Sequence, residues 1–93
     1  MLGLGLHRRF RKIKCSPALL TPTSTTFVVS LELTFTSVDN SDTYYTLDRS
    51  TPTTAKTKYT VPFTINATTT VKWINIETGY KSSGIQTRVI TKT

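Results

Sequence analysis

The chain has 93 residues, enough for one domain; 37% of them are hydrophobic, 18% are charged, and threonine alone fills 21 positions. Threonine, valine, isoleucine and aromatic residues favour strands over helices, so the composition indicates a small all-β domain. It excludes a highly charged disordered tail, a helical bundle, a disulfide scaffold, a large enclosed enzyme pocket, and a bilayer-spanning segment, which needs about 20 apolar residues.

The first element is a basic N-terminal arm, residues 1–15. It holds 5 of the 12 basic residues and no acidic one, so residues 16–93 carry 7 basic and 5 acidic residues, a balance of +2 within the total of +7. Apolar residues stand between the charges. The side chains that we expect to contact a partner are Leu2, Leu4, Leu6, Arg8, Arg9, Phe10, Arg11, Lys12, Ile13 and Lys14.

This mixture of charged and apolar side chains suits a groove on another protein better than a phosphate backbone. Nucleic acid stays open as a ligand of the arm, although Phe10 as its only aromatic residue makes a base-stacking platform a poor prediction. The alternative in which the arm has no partner is a solvated, disordered basic tail. The charges follow the apolar stretch, so no export signal is predicted, and Leu2 stands where myristoylation requires glycine, so no lipid anchor is predicted. We expect no membrane partner.

The next segments mark the entry into the domain. Residues 16–26 are predicted to be a linker and strand entry, because Pro17 and Pro22 oppose helix there. Residues 27–36 alternate with a period of two, which indicates a half-buried strand. The residues that we expect to point into the core are Val29, Leu31, Leu33 and Phe35.

Two further strands are predicted in the middle of the chain. Residues 43–47 form the second strand, after a turn, and a polar turn region with Pro52 follows it. A strand segment then opens at Tyr59 and continues to Ile65, with Pro62 indicating an edge or the start of a strand.

The last part of the chain is the most strand-like. Residues 69–77 are partly apolar on both faces, which indicates a central strand, and residues 85–90 alternate in a final strand. The whole pattern predicts an immunoglobulin-like antiparallel β-sandwich of about seven strands over residues 27–93, carrying the basic arm at its N-terminus.

Three spaced blocks of residues carry a resemblance to a known family. The matching positions are Tyr44, Tyr45, Thr46, Asp48, Ser50, Pro52 and Thr53, then Tyr59, Pro62, Phe63 and Ile65, then Thr69, Thr70, Val71 and Lys72, with Ser82 and Ser83 at the end. In this order they resemble the chitobiase/β-hexosaminidase C-terminal domain family over roughly residues 29–91. The resemblance implies an immunoglobulin-like or fibronectin type III-like accessory module, found in secreted glycosidases, surface proteins and some phage structural proteins, with no catalytic residues of its own.

The chain departs from the family pattern at three positions. Arg49 replaces a glycine, so the turn position with positive φ is expected to be lost or moved. Trp73 and Asn75 replace small residues, so one surface is expected to be bulkier.

No pattern of catalytic or cofactor-binding residues emerges, and we predict no enzyme activity, no cofactor and no metal site. His7 is the only histidine and has no nucleophile or acid near it in sequence, and Cys15 lacks the partners of a zinc site. The aspartates Asp39, Asp42 and Asp48 lack the spacing of a calcium loop and are predicted to cap turns.

Three aromatic residues are candidates for contact with a sugar or a protein: Tyr44, Trp73 and Tyr80. Exposed aromatic rings on a sandwich can stack on sugars, and tryptophan is enriched at protein interfaces. Packing within the sandwich is the favoured interpretation, with Trp73 the most open case.

The sequence therefore predicts a non-enzymatic structural module that is docked by its arm into a larger assembly, a phage virion first of all, as a head decoration, neck or tail protein. Its expected partners are other structural proteins of that assembly, including copies of itself, and its expected location is the virion. A carbohydrate-binding accessory module, extracellular or at a cell surface, is the alternative. Nucleic-acid binding through the arm is the second alternative.

Overall fold

The computed structural model describes residues 13–93, and every regular element in this part of the chain is a strand. The strands are β1 (Leu19–Thr21), β2 (Thr26–Phe27), β3 (Leu31–Thr36), β4 (Asp42–Thr46), β5 (Thr57–Lys58), β6 (Phe63–Ile65), β7 (Thr69–Ile76) and β8 (Gln86–Lys92). They form a three-stranded sheet in the order β1-β3-β6 and a five-stranded sheet in the order β2-β8-β7-β4-β5. The prediction of an all-β, immunoglobulin-like sandwich is confirmed, with eight strands in place of about seven.

The core lies between the two sheets and is built around aromatic rings. The ring centroid of Phe35 lies 5.2–6.1 Å from those of Tyr45, Tyr59, Phe63 and Trp73. Tyr45 and Phe63 stack with centroids 4.6 Å apart, so β4 of one sheet faces β6 of the other. The buried members of the core are Ala18, Leu20, Phe27, Leu33, Phe35, Ile65, Val71, Trp73 and Ile90.

β7 is the central strand of the five-stranded sheet, as its two apolar faces predicted. It pairs with β4 on one side and with β8 on the other, both antiparallel. Its residues Val71, Trp73 and Asn75 all point into the sandwich and are buried. The expectation that Trp73 and Asn75 enlarge a surface is therefore wrong, because their strand turns this face toward the opposite sheet.

The free edge of β1 is closed by side chains from the five-stranded sheet. Trp73 donates its indole Nε1–H to the carbonyl of Ala18 over 3.0 Å, and Arg88 donates from Nη1 to the carbonyls of Leu20 and Pro22 over 3.0 and 2.9 Å. The guanidinium of Arg88 also lies 5.9 Å from the Trp73 ring centroid. These contacts satisfy backbone groups that point away from β3 and protect an edge strand from pairing with another chain.

The predicted strand over residues 27–36 is divided between the two sheets. Phe27 belongs to β2, which pairs in parallel with β8, whereas β3 begins at Leu31. Val29 lies in the crossing between the sheets and is 73% exposed, so its placement in the core is wrong. The alternation of apolar and polar residues predicts the face of the sheet on which a side chain lies, but it does not show where the chain passes from one sheet to the other.

Short strands also appear where other structure was expected. β1 lies within residues 16–26, the predicted linker and strand entry, and contributes Leu20 to the core. β5 lies within the predicted polar turn region, and β6 starts at Phe63, directly after Pro62. Tyr59 lies outside any strand, although its backbone N–H donates to Thr43 O over 2.8 Å and its ring packs against the core.

The β4–β5 turn keeps its left-handed residue. Arg49, in place of the glycine of the family pattern, has φ = 72°, so the expected loss or shift of that position is wrong. The hydrogen bonds from Ser50 to the Asp48 carboxylate hold the turn in this conformation. A non-glycine side chain in this region costs about 1 kcal/mol, which the turn carries as strain.

Replacing Arg49 with glycine should therefore stabilise the sandwich. We expect Arg49→Gly to raise the free energy of unfolding in urea by about 0.5–1 kcal/mol, since relief of the strain exceeds the added entropy of the unfolded chain. The matched control is Lys56→Gly, because Lys56 lies in the same turn region and does not have a positive φ. This variant should lower the free energy of unfolding. A loss of stability in Arg49→Gly as large as in the control would contradict this account of the turn.

Candidate functional site

The candidate interaction surface is the end of the sandwich at which the arm joins it. Because Asp42 of β4 pairs with Ile76 of β7, the β3–β4 loop (residues 37–41) and the β7–β8 loop (residues 77–85) lie at the same end. Residues 13–16 lie beside both loops. We call this surface, made of residues 13–16, 37–41 and 77–85, the tip.

A buried asparagine connects the tip to the core. Asn75, which is fully buried, accepts the N–H of Ala18 at Oδ1 over 2.8 Å and donates from Nδ2 to the hydroxyls of Ser41 and Thr43, both over 3.0 Å. Its backbone N–H donates to Ser83 Oγ over 2.8 Å, and Ser83 N–H donates back to its carbonyl over 2.9 Å. One residue thus ties both loops and the strand entry together, through its side chain and its backbone, and every buried side-chain polar atom of the network is satisfied.

The last residues of the arm are attached to the tip through their backbone. Cys15 N–H donates to Lys81 O over 2.8 Å, and Lys81 N–H donates to Ile13 O over 3.1 Å. Ser16 N–H donates to the Asp39 carboxylate over 2.7 Å, which also accepts from Ser41. The prediction that Asp39 caps a turn is confirmed, and Cys15 is a buried free thiol.

The exposed side chains of the tip combine positive charge with apolar surface. The bridge between Lys14 and Lys81 places two exposed lysines side by side. Ile13 is 74% exposed, and Val38 and Tyr80 are exposed on the neighbouring loops. Such a surface is complementary to a protein surface that carries carboxylates around an apolar centre.

Of the arm residues predicted to contact a partner, the structure places only Ile13 and Lys14, both on the tip. The others lie outside the described residues: Leu2, Leu4, Leu6, Arg8, Arg9, Phe10, Arg11 and Lys12. His7 lies outside them as well.

The three candidate aromatic residues do not share a surface. Trp73 is 5% exposed and belongs to the core, so neither face of its ring is open to a sugar or a partner. Tyr44 lies on the outer face of β4 opposite Ile74, and Tyr80 lies on the tip. The carbohydrate-binding alternative therefore loses the residue on which it depended most.

A separate open cleft of about 580 Å³ lies at the opposite end, along the β4–β5 turn. Its lining residues are Tyr45, Thr46, Leu47, Asp48, Ser50, Ala55, Lys56 and Thr57. The polar groups in it already hold the turn: Thr46 Oγ1 donates to Ser50 O over 2.7 Å, and the Asp48 carboxylate accepts Ser50 N–H over 3.0 Å and Ser50 Oγ–H over 2.5 Å. The prediction that Asp48 caps a turn is confirmed.

The hydrogen bonds in this turn also change the acidity of its carboxyl group. The hydroxyl and the backbone N–H of Ser50 lower the pKa of Asp48 below its ordinary value of 3.8, with a further small contribution from the charge of Lys56. Burial raises the pKa of Tyr45, and Tyr59 raises it further. Asp48 is therefore an anion and Tyr45 a neutral hydrogen-bonding group at neutral pH.

No group of metal-ligating side chains occurs within residues 13–93, and no helix in that range could span a membrane. The sequence interpretation missed the residues that build the tip, above all Asn75, Ser83 and Lys81. Asn75 did give a signal, because an asparagine in the middle of an apolar strand requires buried partners.

Fold and tip together define an immunoglobulin-like sandwich whose loop end carries an attached peptide arm. Residues 31–90, about two thirds of the chain, match the family model Fn3 associated, and the chain belongs to this family of accessory domains, which are generally non-catalytic. The finer resemblance to the chitobiase/β-hexosaminidase C-terminal family stays a prediction. No curated protein matches the chain.

Removing the Asn75 side chain should destabilise the sandwich strongly. Asn75→Ala leaves the Ala18 N–H without its acceptor and removes the amide that donates to the hydroxyls of Ser41 and Thr43, so we expect the free energy of unfolding in urea to fall by about 2–4 kcal/mol. Asn66→Ala, at an exposed position, is the control and should change it by less than about 0.5 kcal/mol. Equal effects of the two variants would show that the network does not stabilise the fold.

The turn carboxylate should add stability that depends on pH. Because the folded-state pKa of Asp48 lies below 3.8, its contribution is complete above the unfolded pKa and is lost as pH falls through the folded value. An NMR titration of the Asp48 carboxyl should give a midpoint below 3.8, and Ser50→Ala should move it upward. A midpoint at or above 3.8 in the unchanged protein would be inconsistent with the Ser50 hydrogen bonds.

Proposed function

We propose that this chain is a structural module docked into a larger assembly by its N-terminal arm, and that this assembly is a phage virion, with the module in a head decoration, neck or tail position. The observation that carries the proposal is the attachment of the arm to the tip. The backbone bonds between Ile13, Cys15 and Lys81 fix the point and direction from which the arm leaves. A fixed origin lowers the entropy that the arm loses when it binds.

The charges favour a protein partner with an acidic surface. Lys14 and Lys81 on the tip continue the positive charge of the arm, which holds Arg8, Arg9, Arg11 and Lys12. Ile13 and Tyr80 add apolar contact area beside these charges. Charge complementarity would orient the partner, and the apolar residues would hold it.

The class of domain supports the choice of a virion. The resemblance in the sequence implies accessory modules that occur in some phage structural proteins, and the chain belongs to a family of generally non-catalytic accessory domains. A small sandwich displayed on a shell and tied to it by an arm needs neither a cofactor nor an active site.

The proposal is tested by particle association. Particles are purified by density gradient from cultures that produce the protein, and the protein is quantified by immunoblot in the particle fraction. We expect a fixed copy number per particle for the unchanged chain. Replacing Arg8, Arg9, Arg11 and Lys12 with glutamine should reduce it at least tenfold, because the arm loses its charges.

The matched control removes the same number of charges from the sandwich. Glutamine at Arg49, Lys56, Lys72 and Lys92 gives the same net charge and should leave particle association unchanged. The proposal is wrong if the unchanged protein stays in the soluble fraction, or if the two sets of substitutions have the same effect.

A further inference from the structure

The outer faces of the two sheets differ in chemistry. The three-stranded sheet presents mostly threonine to solvent, with residues Leu19, Thr21, Glu32, Thr34, Thr36 and Thr64. The five-stranded sheet instead carries an apolar row that crosses β4 and β7 and ends at Ile85, directly before β8. Tyr44 of β4 lies opposite Ile74 of β7, and the register of β7 with β8, continued one residue beyond the Trp73–Gln86 pair, places Ile85 beside Ile74 on the other side. We call Tyr44, Ile74 and Ile85 the apolar row.

The apolar row is partly exposed at its two ends and lies close to the tip. Ile85 is 47% exposed and ends the β7–β8 loop of the tip, Tyr44 is half-buried, and Ile74 between them is 8% exposed. Ile76, two residues along β7 from Ile74, extends the row toward the tip on the same face. An apolar patch of this kind on a face otherwise open to solvent marks a site of interaction.

The start of the arm has the pattern of a segment that fits this row. Leu2, Leu4 and Leu6 alternate with Gly3 and Gly5, so an extended chain presents three leucines on one face. Gly3 and Gly5 place no side chain on the other face, so another backbone can approach the arm closely there. Leu2 and Leu6 are then about 13 Å apart at about 3.3 Å per residue, and the ends of the row are about 10 Å apart at about 4.8 Å per strand.

The sequence between Leu6 and the tip favours docking of the three leucines on the apolar row of a neighbouring molecule over docking on their own sandwich. Residues 7–12 contain no glycine, proline, asparagine or aspartate, the residues from which tight turns are made. They hold four cationic side chains, and like charges extend a chain. The sequence of residues 7–12 therefore does not predict the turn that would return Leu2, Leu4 and Leu6 to their own sandwich.

We propose that Leu2, Leu4 and Leu6 of one copy dock on the apolar row of a second copy. The inference rests on the proposed function, because it takes the arm as the docking element. The partner that it adds is a second copy of the same chain. Such a contact joins two different surfaces, so a pair of copies keeps one unoccupied arm and one unoccupied row. Repeated addition closes a ring or extends a filament.

The test is the self-association of the full chain, followed by sedimentation velocity over a range of concentrations. We expect association that increases with concentration, and at least a tenfold weakening by Ile85→Glu, which places a charge in the row. Leu19→Glu is the matched control, because Leu19 is an exposed apolar residue on the outer face of the other sheet. It should leave the association unchanged.

Mixing two variants gives the sharpest form of the test. A chain with serine at Leu2, Leu4 and Leu6 keeps an intact row, and the Ile85→Glu chain keeps an intact arm. Each variant alone should be monomeric, and an equimolar mixture should form a 1:1 dimer and nothing larger. Circular dichroism of each variant shows that it remains folded.

Three results would overturn the inference: a full chain that is monomeric at every concentration, equal weakening by Ile85→Glu and Leu19→Glu, or a mixture that stays monomeric. The proposed function is tested separately, by particle association. If self-association is absent but the chain still binds particles through its basic residues, this inference alone fails. If the chain self-associates but does not bind particles, the proposed function fails.

Discussion

Hydrogen bonds from side chains of the five-stranded sheet to the backbone of the opposite sheet are the interaction on which the rest of the molecule depends. Asn75 and Trp73 bind the two backbone groups of Ala18, and Arg88 binds the carbonyl of Leu20. Each of these backbone groups would cost about 1–3 kcal/mol if it were buried without a partner. The bonds thus join the two sheets at an edge, in a small domain that contains no internal disulfide.

The same residues hold the end of the sandwich that we propose as an interaction surface. Asn75 reaches Ser41 and Ser83 as well as Ala18, so the two loops of the tip are held by a buried group. The arm meets these loops at Lys81 through backbone bonds. The root of the arm, residues 13–16, is therefore held by the folded sandwich, which is the arrangement that the proposed docking module requires.

Alternation in the sequence was sufficient to predict the sheet class, the central strand β7 and the core residues Leu33 and Phe35. It could not show that Phe27 and Leu31 pair in different sheets, because pairing depends on contacts far along the chain. The sequence favoured packing for Trp73, which the structure confirms, but it left a surface contact open, since a residue type does not reveal which face of a two-sided apolar strand is covered. The role of Asn75 depends on four partners from 8 to 57 residues away, which no local pattern records.

Native-state hydrogen exchange tests most directly whether the root of the arm belongs to the folded sandwich. The amides of Cys15, Ala18 and Lys81 donate to tip and core groups, and the account predicts that they open only with the global unfolding that exposes β7. Their opening free energies should then equal that of Val71. Exchange of Cys15 and Lys81 at the rates of an unprotected peptide, while Val71 stays protected, would contradict the account and leave the arm without a fixed origin.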